Sequence, residues 1–206
     1  IGIDAAAQLK NCGFAIGELS GEMIRVIRAG MLDGKPPFHG SLDYLKDVIR
    51  SAPSVVIAID APLGWPSKMA PALSAHSAGQ RLNSSRQAMF MRETDVAVWK
   101  RTTKKPMEVG ADKIAHAAHH AVELLSRLRE LTGAPIPLAW EPAIIGKYAI
   151  EVYPGATLTS RALAIPGYKK TSEDAKTARR QIADALKGEI PDLQKQVESR
   201  VDVFDA

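Results

Sequence analysis

The sequence predicts an α/β fold on a mixed five-stranded sheet, an antiparallel meander joined to parallel strands, with a helical insertion after strand four. Three observations carry this. Residues 55–59 (VVIAI) are five consecutive apolar residues, too few for a helix and too uniformly apolar for a half-exposed strand, so they read as a fully buried strand. Asp60 closes that run, and Pro62, Gly64 and Pro66 turn the chain away. The opening Ile1-Gly2-Ile3-Asp4 repeats the pattern of a short apolar strand that ends in an aspartate.

The other elements follow in chain order. Residues 12–19 (CGFAIGEL) and 23–32 (MIRVIRAGML) are β-rich runs separated only by Ser20-Gly21-Glu22, which makes them a hairpin and completes the meander. Ser41 is a fitting N-cap for a helix over 42–52, in which Leu42, Leu45, Val48, Ile49 and Ala52 form one stripe before Pro53 stops it. A helical crossover lets strand four run parallel to a strand already laid down, and its place is beside strand one. Residues 65–147 form the insertion: short helices and loops around Pro66, Pro71 and 74–85, an amphipathic stretch over 87–99, and a helix over 112–131 with Ile114, Ala118, Val122, Leu125 and Leu128 buried. Residues 148–154 (YAIEVYP) are the fifth strand with Glu151 at its centre. A helix over 172–186 is capped by a Thr171/Asp174 box, with Gly188 as its C′ residue. Pro191 opens a last helix with Leu193, Val197, Val201 and Phe204 on one stripe. The sequence stops on that unfinished helix, so native residues are expected beyond Ala206.

At 206 residues the chain is long enough for one domain, 1–206, carrying the insertion within it. No apolar run approaches the roughly 20 residues of a membrane span, and no signal segment opens the chain. The lone Cys12 rules out an internal disulfide framework and a multi-cysteine zinc site, so the cytoplasm is the expected compartment. The net charge of +4 is concentrated: between Trp65 and Lys113 stand nine basic residues against four acidic ones. Such a stretch either tracks a phosphate backbone or is an ordinary solvated helix face.

Asp60 falls where α/β sheets open their ligand crevices, although a helix N-cap or a loop aspartate has the same sequence position. The repeat at Asp4 favours the crevice. Two parallel strands side by side bring both carboxylates to one place, where repulsion demands a cation between them or a proton on one, and a divalent metal is the simplest resolution. Glu151, within an apolar strand, needs a cation or hydrogen-bond donors; it reads equally as a metal-site member or as an arginine's partner. Arg92, Thr94 and Asp95 read as a positioning group, an arginine holding phosphate and Asp95 holding the arginine, or as a surface ion pair. His116, His119 and His120 share a helix face, but that face lies opposite Ile114, Val122 and Leu125 and is expected to be solvated rather than to hold zinc. Neither a Gly-x-x-x-x-Gly-Lys loop nor a Gly-x-Gly-x-x-Gly turn is present, and AAAQLKN after Asp4 argues against ATP.

Taken in order, IGIDAA, IAIDAPLG, RETD (Arg92 to Asp95), EVYP (Glu151 to Pro154) and DVFDA (Asp202 to Ala206) resemble the domain of unknown function 429 family, whose members are predicted to be ribonuclease-H-like nucleases. The resemblance covers nearly the whole chain. It implies a ribonuclease-H-like sheet in which acids from strand one, strand four and the last helix bind Mg²⁺ or Mn²⁺: Asp4, Asp60, and Asp205 or Asp202. At about 100° per residue, Asp205 lies roughly 80° from the centre of the last helix's apolar stripe and Asp202 roughly 140°, which favours Asp205.

The function expected is phosphodiester hydrolysis of DNA or RNA by a metal-dependent nuclease. Asp4 would be shared between two ions, Asp60 and Asp205 would each hold one, and water would attack phosphorus in line. Asp4, Asp60, Asp205 and Glu151 are the candidate catalytic residues, with Asp202 a further candidate metal ligand. Arg92, Lys100, Arg101, Lys104 and Lys105 would grip the phosphates, and Trp99 would either stack a base or belong to the core. The alternatives are a ribonuclease-H-like scaffold that binds nucleic acid or protein without cutting, and a hydrolase or ATP-dependent transferase of small phosphorylated substrates.

Overall fold

A computed structural model describes residues 1–32, 41–110, 112–141, 145–197, 203–204 and 206. Strands β1 (Gly2–Asp4), β2 (Gly13–Ser20) and β3 (Met23–Met31) form the expected meander. The β2–β3 turn needs only two residues. Gly21 takes φ +60°, the left-handed conformation required at the first central position of one of the favoured hairpin turns. Helix α1 (Ser41–Ser51) then crosses over, and β4 (Val55–Asp60) lies parallel to β1. Strand β5 (Lys147–Glu151) adds in parallel outside β4, giving the order β3-β2-β1-β4-β5. This is a mixed, open five-stranded α/β sheet.

The helices between β4 and β5 are α2 (Met69–Ser74), α3 (Arg86–Phe90), α4 (Glu93–Thr102) and α5 (Asp112–Thr132). The expected amphipathic stretch over 87–99 is thus two helices, broken at Met91 and Arg92. Leu45 and Ile49 of α1 and Ala121, Leu124, Leu125 and Leu128 of α5 cover one sheet face, burying Ile3, Phe14, Ile16, Ile57 and Ile59. Each large apolar side chain so buried is worth about 1.5–3 kcal/mol. The stripe of α5 is rotated from the expected one: Ala117, Ala121 and Leu124 are buried, whereas Ile114 and Val122 are only half-buried.

Because only one face is covered in this way, β4 is not the fully buried strand expected. Its burial alternates, and Val56 is 42% exposed. On that opposite face Gly2, Val56 and Ala58 line a groove of about 1000 Å³ with Leu158, Ile182 and Phe204. Strand β5 ends at Glu151, earlier than expected, because Pro154 opens helix α6 (Pro154–Ser160) from the first-turn position that proline favours. Helix α7 (Glu173–Ala185) is capped by Ser172, whose hydroxyl accepts from Ala175 N at 3.3 Å, so Thr171 is not the cap. Its C-cap is Leu186 rather than a residue leading into a Gly188 turn. The expected final helix is represented by a 3₁₀ turn, Leu193–Gln196. Val201, Asp202 and Asp205 lie outside the described residues.

Ala206 meets β1 directly. A Cβ at Gly2 would overlap the main-chain oxygen of Ala206, so the two could not keep their places together. Gly2→Ala is expected to cost about 2 kcal/mol through overpacking, a fall in Tm of about 4–8 °C at this chain length. Gly188→Ala, where a Cβ meets nothing within 4 Å, should leave thermal unfolding within about 1 °C of wild type.

Candidate functional site

Parallel pairing of β1 with β4 sets Asp4 opposite Asp60. Neighbouring strands lie about 4.8 Å apart, and paired residues leave the sheet on the same face. The two carboxylates therefore start side by side, both at the carboxyl ends of their strands and both half-buried. Alternation places them on the face opposite Ile3 and Ile59. Glu151 is paired with Ile59, not with Asp60, so its side chain leaves from the other face. The three acids share one sheet edge but not one cluster. Among the described residues no group of three or more acidic, histidine or cysteine side chains is close enough to hold a metal. Asp4 and Asp60 are hard oxygen donors of the kind Mg²⁺ and Mn²⁺ take.

Of the two readings left open for Glu151, arginine pairing is the one observed. Arg92 Nη1 donates to Oε2 and Nη2 to Oε1, each at 2.6 Å, and the Leu63 main-chain N–H donates to Oε2 at 2.9 Å. Arg92 is held from behind by Asp95, which accepts from Nε at 3.0 Å and Nη2 at 2.6 Å. Asp95 also reaches back from the third helical position to the Arg92 main-chain N–H at 2.8 Å, closing the start of α4. Burial alone would depress the guanidinium, but the hydrogen bonds it donates to Glu151 and Asp95, with their negative charge, outweigh it and hold its pKa above the ordinary arginine range. The fork expected to grip phosphate is committed to two carboxylates. In this arrangement Arg92 ties α4 to the end of β5; Thr94 is exposed beside it.

Tyr153, not singled out from the sequence, lies within the electrostatic reach of Asp60. The phenol of Tyr153 is pushed above the usual tyrosine range, first by burial and then by the negative charge of Asp60, while Lys169 pulls it the other way. Lys169 also lies over the Tyr168 ring, 5.7 Å from its centroid. Tyr153 belongs to the EVYP motif, and its place directly after β5 was the available signal. Behind Asp4, the loop is fixed by Cys12 Sγ, which accepts from Ala6 N at 3.2 Å, and by His120 Nδ1–H, which donates to Ala6 O at 2.7 Å. His120 is consequently half-buried and departs from the solvated face expected of it. His116 and His119 are exposed, the latter 3.3 Å from Glu123.

Lys100, Arg101, Lys104 and Lys105 are exposed at and beyond the far end of α4, and Arg101 stands about 14 Å from Arg92 at 1.5 Å per residue. Trp99 is 41% exposed, so it is not core, but the Lys105 ammonium sits 5.3 Å over its ring and 3.3 Å from Glu108. Asp202 and Asp205 lie outside the described residues; of their neighbours, Val203 is buried and Phe204 packs against the α7 clusters.

Asp95 is almost completely buried, whereas the Glu151 side chain is a third exposed. Asp95→Ala is therefore expected to cost about 3 kcal/mol, the range for leaving a buried partner uncompensated. Glu151→Gln, which keeps acceptor geometry in a better-solvated place, should cost about 1 kcal/mol; urea unfolding of both variants measures the difference. Because the Tyr153 pKa is raised in the fold, its contribution to stability is present below the ordinary value of about 10 and is lost as pH rises through the folded value. Asp60→Asn should lower the Tyr153 value toward the ordinary one, followed by ring-carbon NMR shifts; an unchanged titration would contradict the neighbourhood described.

No curated protein and no solved structure matches the chain. A family model does, over residues 2–206, so the chain belongs to the family described as protein of unknown function (DUF429).

Proposed function

We propose that this protein is a metal-dependent nuclease that hydrolyses phosphodiester bonds in DNA or RNA with Mg²⁺ or Mn²⁺. The observation that carries the reading is the in-register pair Asp4 and Asp60 at the carboxyl ends of adjacent parallel strands. Asp4 and Asp60 would hold the ions, with Asp205 or Asp202 as the further ligand that the family resemblance implies. When bound, such ions activate water and neutralise charge on the reacting phosphate. The protein's own residues bind and orient. Lys100, Arg101 and Lys104 supply positive charge one helix-length from Arg92, while Arg92, committed to Glu151 and Asp95, positions the β5 edge instead of contacting phosphate. A buried, reduced Cys12 fits a reducing compartment such as the cytoplasm, and no described helix is long and apolar enough to cross a membrane.

The test is cleavage of end-labelled single-stranded DNA, RNA, duplex and hybrid substrates in Mg²⁺ or Mn²⁺. Asp4→Asn and Asp60→Asn should each lose more activity than the about 10–100-fold that removal of an outer-shell partner costs, with substrate binding largely retained. Lys100→Ala and Arg101→Ala should weaken binding uniformly across sequences, each reducing the salt slope by about 1. Undiminished cleavage by Asp4→Asn would overturn the assignment. A wild type that binds nucleic acid but cuts none of these substrates would favour the non-cleaving scaffold.

A further inference from the structure

The chain around Asp60 is tied to the end of β5 on both sides. Ile59, just before Asp60, accepts from the Val152 N–H at 3.0 Å, and Leu63, just beyond it, donates its main-chain N–H to Glu151 Oε2 at 2.9 Å. Consecutive β5-end residues therefore bracket Asp60. Within the bracket the chain has little freedom of its own, since Ala61 is buried in the core and the ring of Pro62 fixes its φ. The first tie is an ordinary main-chain bond. The second depends on a side chain.

That side chain is itself held. Arg92 donates to both Glu151 oxygens at 2.6 Å, so Oε2 accepts from Arg92 and Leu63 together, and the buried Asp95 holds the guanidinium in turn. A bidentate, charge-assisted pair fixes orientation as well as distance. Glu151 cannot join Asp60 directly, because the register sets it opposite Ile59 and sends its side chain out of the other sheet face. It reaches the Asp60 loop from behind, through the main chain. The loop after Asp4 is fixed in a comparable way, the N–H and C=O of Ala6 being taken by Cys12 and His120.

We propose that Glu151 is a positioning residue for the Asp4–Asp60 cation site: by holding the Leu63 N–H it fixes where the Asp60 carboxylate stands, and Arg92 with Asp95 fixes Glu151. The inference rests on the metal-site reading and adds to it a residue that does not touch the ion. Carboxylates from two strands act on one cation only when each is held to within about 0.5 Å. A side chain that orients a ligand from behind is worth about 10–100-fold in metal affinity.

The experiment is a Mn²⁺ titration followed by electron paramagnetic resonance, with oligothymidylate present, on wild type, Asp60→Asn, Glu151→Ala, Glu151→Gln, Leu63→Pro and Ile49→Val. Glu151→Ala should weaken Mn²⁺ binding about 10–100-fold, and Glu151→Gln, which keeps an acceptor for the Leu63 N–H, should restore most of it. Leu63→Pro deletes that N–H and leaves the carboxylate; it should match Glu151→Ala, and the double variant should be no worse than either. Ile49→Val, a core change on α1, should lower thermal stability without altering Mn²⁺ binding, which separates positioning from general loosening, and circular dichroism checks the fold of each variant. Binding lost in Asp60→Asn but equal to wild type in Glu151→Ala would overturn the proposal and leave the cation site standing. Weakening that Ile49→Val shares, or that Glu151→Gln fails to rescue, would overturn it too. No Mn²⁺ bound by wild type beyond that held by the oligonucleotide would overturn the proposal together with the site.

Discussion

The parallel pairing of β1 with β4 is the constraint on which the rest depends. It is only three residues long on the β1 side, Gly2 to Asp4 against Ala58 to Asp60, yet a slip of one residue would turn Asp4 or Asp60 into the apolar layer beneath α1 and α5. The register is held by what lies on the covered face. Ile3 and Ile59 are paired and both are essentially inaccessible, so the burial of two isoleucines aims two aspartates the other way. Core packing and site geometry are consequences of the same pairing.

The edge beyond that pair is built differently. Glu151 faces away from Asp60, and its carboxylate is satisfied by Arg92 and the Leu63 main chain. Arg92 is satisfied in turn by Asp95, the buried acid that also closes the start of α4. A half-buried guanidinium between two carboxylates stays charged at every pH the protein meets. It acts as a fixed clamp joining α4, the β4 loop and the end of β5.

Much of this was legible in the residues, and the divisions have physical causes. The apolar run at 55–59, the hairpin spacing around Gly21 and the single stripe of α1 lead to the observed strand order because each is a local pattern with one economical packing. The partnership of Arg92 with Asp95 is likewise local, three residues apart at a helix start. The clamp to Glu151 spans 59 positions, and short-range pattern carries no sign of it beyond the need of a carboxylate in an apolar strand for a partner. Uniform apolarity misled at Val56, since five apolar residues do not say that one sheet face opens onto a groove. Pro154 was read as the end of a strand where it is the start of α6.

The central claim is that Asp4 and Asp60 together form a cation site. Calorimetric titration of Mn²⁺ into wild type and Asp4→Asn, with a single-stranded oligonucleotide present to supply phosphate ligands, addresses it most directly. A saturable heat in wild type that vanishes in Asp4→Asn is the expected result. Equal heats in both, or none in either with the oligonucleotide bound, would contradict the claim and leave the pair as a structural feature of the strand ends.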